Sequence, residues 1–106
     1  MALVAERDDT VTGRPTIVGI GRLSRVFGTD DAEFAVLVTD AWQGRGIGTE
    51  LLRRLVEIAR AEGVAVIGAK MRAENIAMRK ASEQLGFTIT AGSSDEVVRA
   101  EMQLSN

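Results

Sequence analysis

The passage from Glu33 to Ala59 limits the fold more than any other part of the chain. Glu33-Phe-Ala-Val-Leu-Val-Thr39 is apolar almost throughout and reads as a strand buried on both faces. A short glycine-rich turn, Gln43-Gly-Arg-Gly-Ile-Gly48, follows after Asp40-Ala-Trp42. Beyond it Leu51, Leu52, Leu55, Val56 and Ala59 recur at helical spacing, with Arg53, Arg54, Glu57 and Arg60 between them. Glycines at 44, 46 and 48 open positive φ to the backbone and leave no Cβ atoms over the turn. Successive N–H groups then converge at the positive end of the helix, which makes a phosphate cradle. Arg45 sits within it and adds a charge for an anion. The plain alternative is a structural turn that starts a helix.

The rest of the chain frames this passage. Leu3–Glu6 is a short apolar-leaning segment, and Arg7–Arg14 reads as a turn. Thr16–Leu23 is β-branched and reads as the second arm of a hairpin, with Pro15 barred from the middle of a central strand. Gly63 stops the first helix, and Val64–Ile67 is a buried strand. Asn75 is a good N-cap for a second helix with Met78, Ala81 and Leu85 on its apolar side. Gly86 suits the left-handed position after that helix, from which Phe87 folds back on the last turn. Phe87–Thr90 and Val97–Leu104 read as two closing strands around a turn at 92–95. The predicted fold class is α/β (α+β): one domain over residues 1–106, with a mixed sheet in the order β-β-β-α-β-α-β-β.

Composition removes several chemistries. Histidine and cysteine are both absent, so no disulfide, Cys/His metal site, Ser-His-Asp triad or Cys-His pair is available, and no metal is expected. Missing cysteine fits a cytoplasmic setting. No apolar run is long enough to span a membrane, and no membrane partner is expected. A net charge of −2 argues against a dedicated nucleic-acid surface. Residues 44–80 nevertheless carry eight basic against four acidic side chains, a basic third that begins at the glycine turn. A solvated helix face rich in arginine is the bland account of that excess.

Three ligand classes use such turns. A mononucleotide P-loop requires Lys-Ser/Thr after the last glycine, whereas Thr49 follows Gly48 directly. A dinucleotide fold requires Gly-x-Gly-x-x-Gly directly after the strand and an acidic residue about twenty positions on; here the spacing is Gly-x-Gly-x-Gly, residues 39–42 separate Val38 from Gln43, and Lys70 ends the next strand. Gln43-x-x-Gly46-x-Gly48 instead has the form Arg/Gln-x-x-Gly-x-Gly/Ala. That form, with the Asn75…Leu85-Gly-Phe87 segment in place, resembles the GNAT N-acetyltransferases over about residues 15–104. Ala32-Glu-Phe-Ala-Val36, Trp42-Gln-Gly-Arg-Gly46 and Glu74-Asn-Ile-Ala-Met78 are similar to bacterial Pat-type protein-lysine acetyltransferases.

The resemblance implies an acetyl-CoA-binding core over residues 33–90 and transfer of an acetyl group to a primary amine, with a protein lysine as the expected acceptor ahead of a small amine. It implies that Gln43, Gly44, Arg45, Gly46, Ile47, Gly48 and Thr49 hold the pyrophosphate of coenzyme A. Backbone groups of Val36, Leu37 and Val38 would pair with pantetheine where two parallel strands splay apart, and Asn75 would lie near it. An amine of pKa about 10.4 must lose a proton, and Glu33, the lone carboxylate entering an apolar strand, is the candidate base. Burial is expected to raise its pKa. Ser82 stands where many family members carry a tyrosine acid, and its expected part is a hydrogen bond to the cofactor. Lys70 stands where relatives often carry glutamate. Trp42 reads as a packing residue under the loop. The front of the chain reads as a hairpin in place of the family's usual N-terminal strand and helices. The domain is thus expected to be N-terminally short, with an exposed edge that favours a homodimer. A coenzyme A-binding domain without catalysis is the alternative function.

Overall fold

The computed structural model describes residues 1–104. Strands β1 (Ala2–Asp8) and β2 (Pro15–Arg25) form the expected hairpin. Asp9 closes its turn by accepting hydrogen bonds from the N–H groups of Val11 and Thr12 at 2.8 and 2.9 Å. These amides, Thr12 first, hold the Asp9 carboxyl below its ordinary range. Pro15 occupies the first position of β2, where no interior ladder bond is lost. Strand β3 (Ala32–Val38) leads through a 3-10 turn at Asp40–Trp42 into helix α1 (Ile47–Ala61). Strand β4 (Val66–Arg72), helix α2 (Ile76–Gln84), β5 (Thr88–Ala91) and β6 (Val97–Gln103) complete the chain. The expected order of elements holds, although β4 starts and ends later than the apolar run Val64–Ile67 indicated.

The six strands form one sheet in the order β1-β2-β3-β4-β6-β5, antiparallel throughout except between β3 and β4. Strand side chains alternate between two faces. One face carries Leu23, Phe34, Ile67, Ala69 and Ala100, all packed with Leu52 and Leu55 of α1 in a single core. α1 lies close on β2 because Gly19 and Gly21 have no side chains. A Cβ at 19 would come within 3.1 Å of Ile47 Cγ2, and one at 21 within 3.2 Å of Leu55 Cδ1. Phe34 and Phe87 meet edge to face with ring centroids 5.3 Å apart, which ties β3 to the segment after α2. Gly86 turns that segment with φ of 100°, and the Phe87 N–H donates to the Ser82 carbonyl at 2.9 Å.

Both helices pack on this inner face. No described element covers the other face, where β3 alternates instead of being buried on both sides as its sequence indicated. Ala32 and Phe34 are buried, whereas Leu37 keeps 74% of its surface exposed. An apolar run therefore marks a strand here without marking which of its residues meet a second layer. No helix among the described residues is long and apolar enough to cross a membrane.

Candidate active site

α1 begins without a side-chain cap. Its N-cap is Gly46, held at φ of 82°, and the preceding Gly44 is at φ of 77°. Gly48 is not in that region: it lies inside the first helical turn, contrary to the expectation for all three glycines. The Glu50 N–H donates to the Gly46 carbonyl at 3.0 Å, so intrahelical bonding starts there. Among the described residues no acceptor is found for the N–H groups of residues 44 to 49. A run of free amides at a helix start is a site for an anion, because the helix supplies donors and a positive end together. Glu50 is the acidic residue of this first turn, but hydrogen bonds from Arg53 and then Arg54 draw its pKa down to about 2 and occupy its charge.

The side chains around the turn differ from the expected cradle. Gln43 does not point into it. Its Nε2 donates to the Val38 carbonyl and to Asp40 Oδ1, both at 3.2 Å, and its own N–H donates to the Asp40 carbonyl. It braces the loop against the end of β3. Arg45 stacks on Trp42, its guanidinium carbon 4.7 Å from the ring centroid. Trp42 in turn packs on the cluster of Val18, Ile47 and Leu51, as its packing assignment required. Arg45 is exposed, so its charge stays at the mouth of the turn. Thr49 is half-buried, and Ile47 anchors the helix start in the core.

Beside the turn the sheet opens. β3 and β4 each run seven residues but pair only at Ala32–Ile67 and Glu33–Gly68. The Thr39 N–H donates to the Val18 carbonyl, so Thr39 faces β2. Backbone direction alternates along a strand, so Leu37 also faces β2, while Val36 and Val38 turn their backbone groups to the opening. Of the three residues expected to pair with pantetheine, Leu37 is therefore spent within the sheet. Val38 keeps its N–H, and its carbonyl is held by Gln43. The side chains of Val36 and Val38 point the other way, to α1, within 3.9 and 3.6 Å of where a Cβ on Gly48 would stand.

Local contacts settle the place of two more residues, turning Ser82 away from the opening and giving Asn75 the capping duty its sequence position indicated. Ser82 is fully buried and donates its hydroxyl to the Met78 carbonyl at 2.8 Å, so it does not reach the opening. Asn75 caps α2: its Oδ1 accepts the Met78 N–H at 3.3 Å. That duty accounts for its acceptor oxygen and leaves the amide nitrogen exposed at the head of α2.

Glu33 lies on the outer face at the last β3–β4 pair, where the opening begins. It is not the isolated carboxylate the sequence indicated. Arg99 of β6 grips it with two parallel hydrogen bonds, Nη1 to Oε1 at 2.9 Å and Nη2 to Oε2 at 3.0 Å, and the Glu33 side chain remains 39% exposed. These bonds raise the Arg99 pKa above its ordinary value, against partial burial, with Glu101 at 3.3 Å adding to them. Arg99 reaches across β4 because the residue between is Gly68. A Cβ there would stand 2.8 Å from Arg99 Nη2 and 2.9 Å from the Ala100 carbonyl oxygen. Gly68→Ala is expected to lower stability by about 1–3 kcal/mol and to displace the guanidinium from Glu33. A urea midpoint equal to wild type would refute this. Neither Arg99 nor Gly68 was legible as a site residue: Glu33 and Arg99 are 66 positions apart, and only the strand order unites them.

A two-layer α/β plate, a parallel pair that parts after two residues and a glycine turn whose amides have no acceptor among the described residues together define the class of this α/β domain. The model of the acetyltransferase (GNAT) family matches residues 1–87, and the chain belongs to this family. It is 38% identical over 89 residues to an L-methionine sulfoximine/L-methionine sulfone acetyltransferase of Salmonella typhimurium, covering 84% of this chain and 51% of that protein. Among solved structures, the GNAT domain of S. lividans PAT superposes with a TM-score of 0.75 at 33% identity, over 90% of this chain and 57% of that one. A putative acetyltransferase from Salmonella typhimurium, solved with its cofactor acetyl-CoA, gives 0.75 at 29% identity over 85% and 60%. The similarity to Pat-type catalytic domains is thereby borne out. The chain spans about half or less of the length of the curated relatives it matches.

Proposed function

We propose that this domain binds acetyl-CoA and transfers its acetyl group to a primary amine. The observation that carries the reading is the run of N–H groups from Gly44 to Thr49 without an acceptor among the described residues, set beside strands that part after Glu33 and Gly68. The amides suit a pyrophosphate, and the Val36 and Val38 groups along the opening suit the amides of an extended chain. The relative solved with acetyl-CoA supports this choice of ligand. Acetyl-CoA supplies an acetyl thioester, and the amine nitrogen gains the acetyl group. A second nitrogen proton is lost as the amide forms and is balanced by the proton the leaving thiolate takes up, and the first proton of the ammonium must leave before attack. Glu33 stands at the mouth of the opening as the group that takes this proton, directly or through a water. The Val38 N–H is the donor nearest to hand for the oxyanion. With Ser82 buried, the leaving thiolate is protonated by solvent; a thiol of pKa about 8.5 permits that at neutral pH.

The Pat-like segments favour a protein lysine as acceptor, whereas the S. typhimurium relative is named for free amino-acid derivatives. A coenzyme A-binding domain without catalysis is the rival. Two measurements separate them. Acetyl-CoA at about one hundred times its dissociation constant is expected to stabilise the fold by about 2.7 kcal/mol, a rise in Tm of about 10 °C or more. Thiol release in the presence of amines is expected alongside it. No stabilisation would sink the cofactor reading, and stabilisation without thiol release would sink transfer.

A further inference from the structure

We infer that Lys70 and Arg22 form a carboxylate-binding edge to the opening, so that the acceptor is a free α-amino acid instead of a lysine within a protein. The inference rests on the acetyl-transfer reading above and assigns its acceptor. It comes from the register of four strands. Glu33 and Gly68 are the last pair that β3 and β4 share. Two residues on, still on the outer face, Ala35 of β3 and Lys70 of β4 stand on opposite sides of the opening. Arg22 of β2 is opposite Ala35, and Arg99 of β6 is opposite Lys70. Arg22 and Lys70 thus flank the small Ala35 side chain from either side, and Arg99 lies one strand beyond Lys70.

Their charges are not equally available. Arg99 is engaged by Glu33 through both terminal nitrogens and by Glu101 through Nε. Arg22 and Lys70 are exposed and make no ion pair or side-chain hydrogen bond among the described residues. Glu33 and Glu101 are the acidic groups that face this mouth from β3 and β6, and Arg99 holds both. The unspent field at the mouth is therefore positive. It draws in an acceptor that carries a carboxylate, and a lysine inside a polypeptide has none beside its amine. Same-face residues on a strand lie about 6.6 Å apart, within the reach of lysine and arginine side chains. A carboxylate held by Lys70 and Arg22 thus leaves its α-amine at the level of Glu33. The helices fill the inner face, so the outer face is the approach that the described residues leave open.

The test compares transfer from acetyl-CoA to the common L-amino acids, to the corresponding amino-acid amides, and to a lysine peptide with both ends blocked. The expected result is a kcat/KM at least tenfold higher for the acids than for the amides. That ratio should fall towards one in the doubly substituted Lys70→Gln/Arg22→Gln protein, carried by KM, while Lys70→Arg restores most of it. The rise in Tm on adding acetyl-CoA should be the same in all variants, which shows that they fold and bind cofactor. Equal transfer to acids and amides, preference for the blocked peptide, or a ratio that survives both substitutions would overturn the inference and leave acetyl transfer standing. Absence of transfer to every amine, with the acetyl-CoA shift intact, would overturn both.

Discussion

Glu33→Gln is expected to lower kcat by about two to four orders of magnitude, the usual worth of a positioned general base, with the acetyl-CoA-induced rise in Tm unchanged. The amide is nearly isosteric, and its oxygen still accepts from Arg99, which also keeps Glu101 at 3.3 Å. The geometry around Gly68 is therefore preserved while the proton acceptor is removed. The pair is partly solvated, with side chains 28% and 39% exposed, so screening keeps the stability change small, below about 1 kcal/mol. The measurement is a pre-steady-state or steady-state rate of thiol release with an accepted amine, set against a thermal melt with and without acetyl-CoA. A rate equal to wild type would remove Glu33 from the chemistry. The companion variant Arg99→Gln separates base from partner: it leaves the carboxylate in place and is expected to lower kcat far less than Glu33→Gln does.

Gly46→Val should weaken acetyl-CoA binding by about one hundredfold or more. Gly46 is the N-cap of α1 and sits at φ of 82°, a conformation that is a true outlier for a β-branched residue and costs about 1–3 kcal/mol to hold. The chain relaxes by leaving that φ, and the amides of Arg45 to Thr49 are reoriented with it. Hydrogen bonds to a charged group contribute about 1.5–3 kcal/mol each, so losing two accounts for the hundredfold. Gly48→Ala is the control within the same motif. Gly48 is helical, and an added Cβ meets Met78 and Val38 at 3.6 Å, an ordinary contact. That substitution is expected to stabilise the fold by up to about 1 kcal/mol and to leave affinity unaltered. Titration calorimetry distinguishes the two. If Gly46→Val binds acetyl-CoA as wild type does, the amides of the turn do not hold the pyrophosphate.

Much of the molecule was written locally. The hairpin turn at Asp9, the stop at Gly63, the cap at Asn75 and the return at Phe87 are each set by one or two residues acting on their neighbours, and each stands where the sequence put it. The glycine turn belongs to the same class, because positive φ and a missing side-chain cap are properties of the residues that show them. Other features depended on which strand became whose neighbour. The bidentate grip of Arg99 on Glu33 needs β6 to lie beside β4 and needs Gly68 in between. Gln43 looks like a ligand in the motif and becomes a brace only once β3 ends within its reach.

The strand-to-glycine-to-helix passage was therefore readable from residues 33–59 alone, since backbone permissiveness and periodicity act over a few positions. The charge and exposure of the groups around the opening were not. Leu37 is exposed, Ser82 sealed and Glu33 ion-paired because one layer of helices covers one face of the sheet, and strands distant in sequence set the other face. Alternation tells which residues share a face, but the packing of the second layer decides which face meets water.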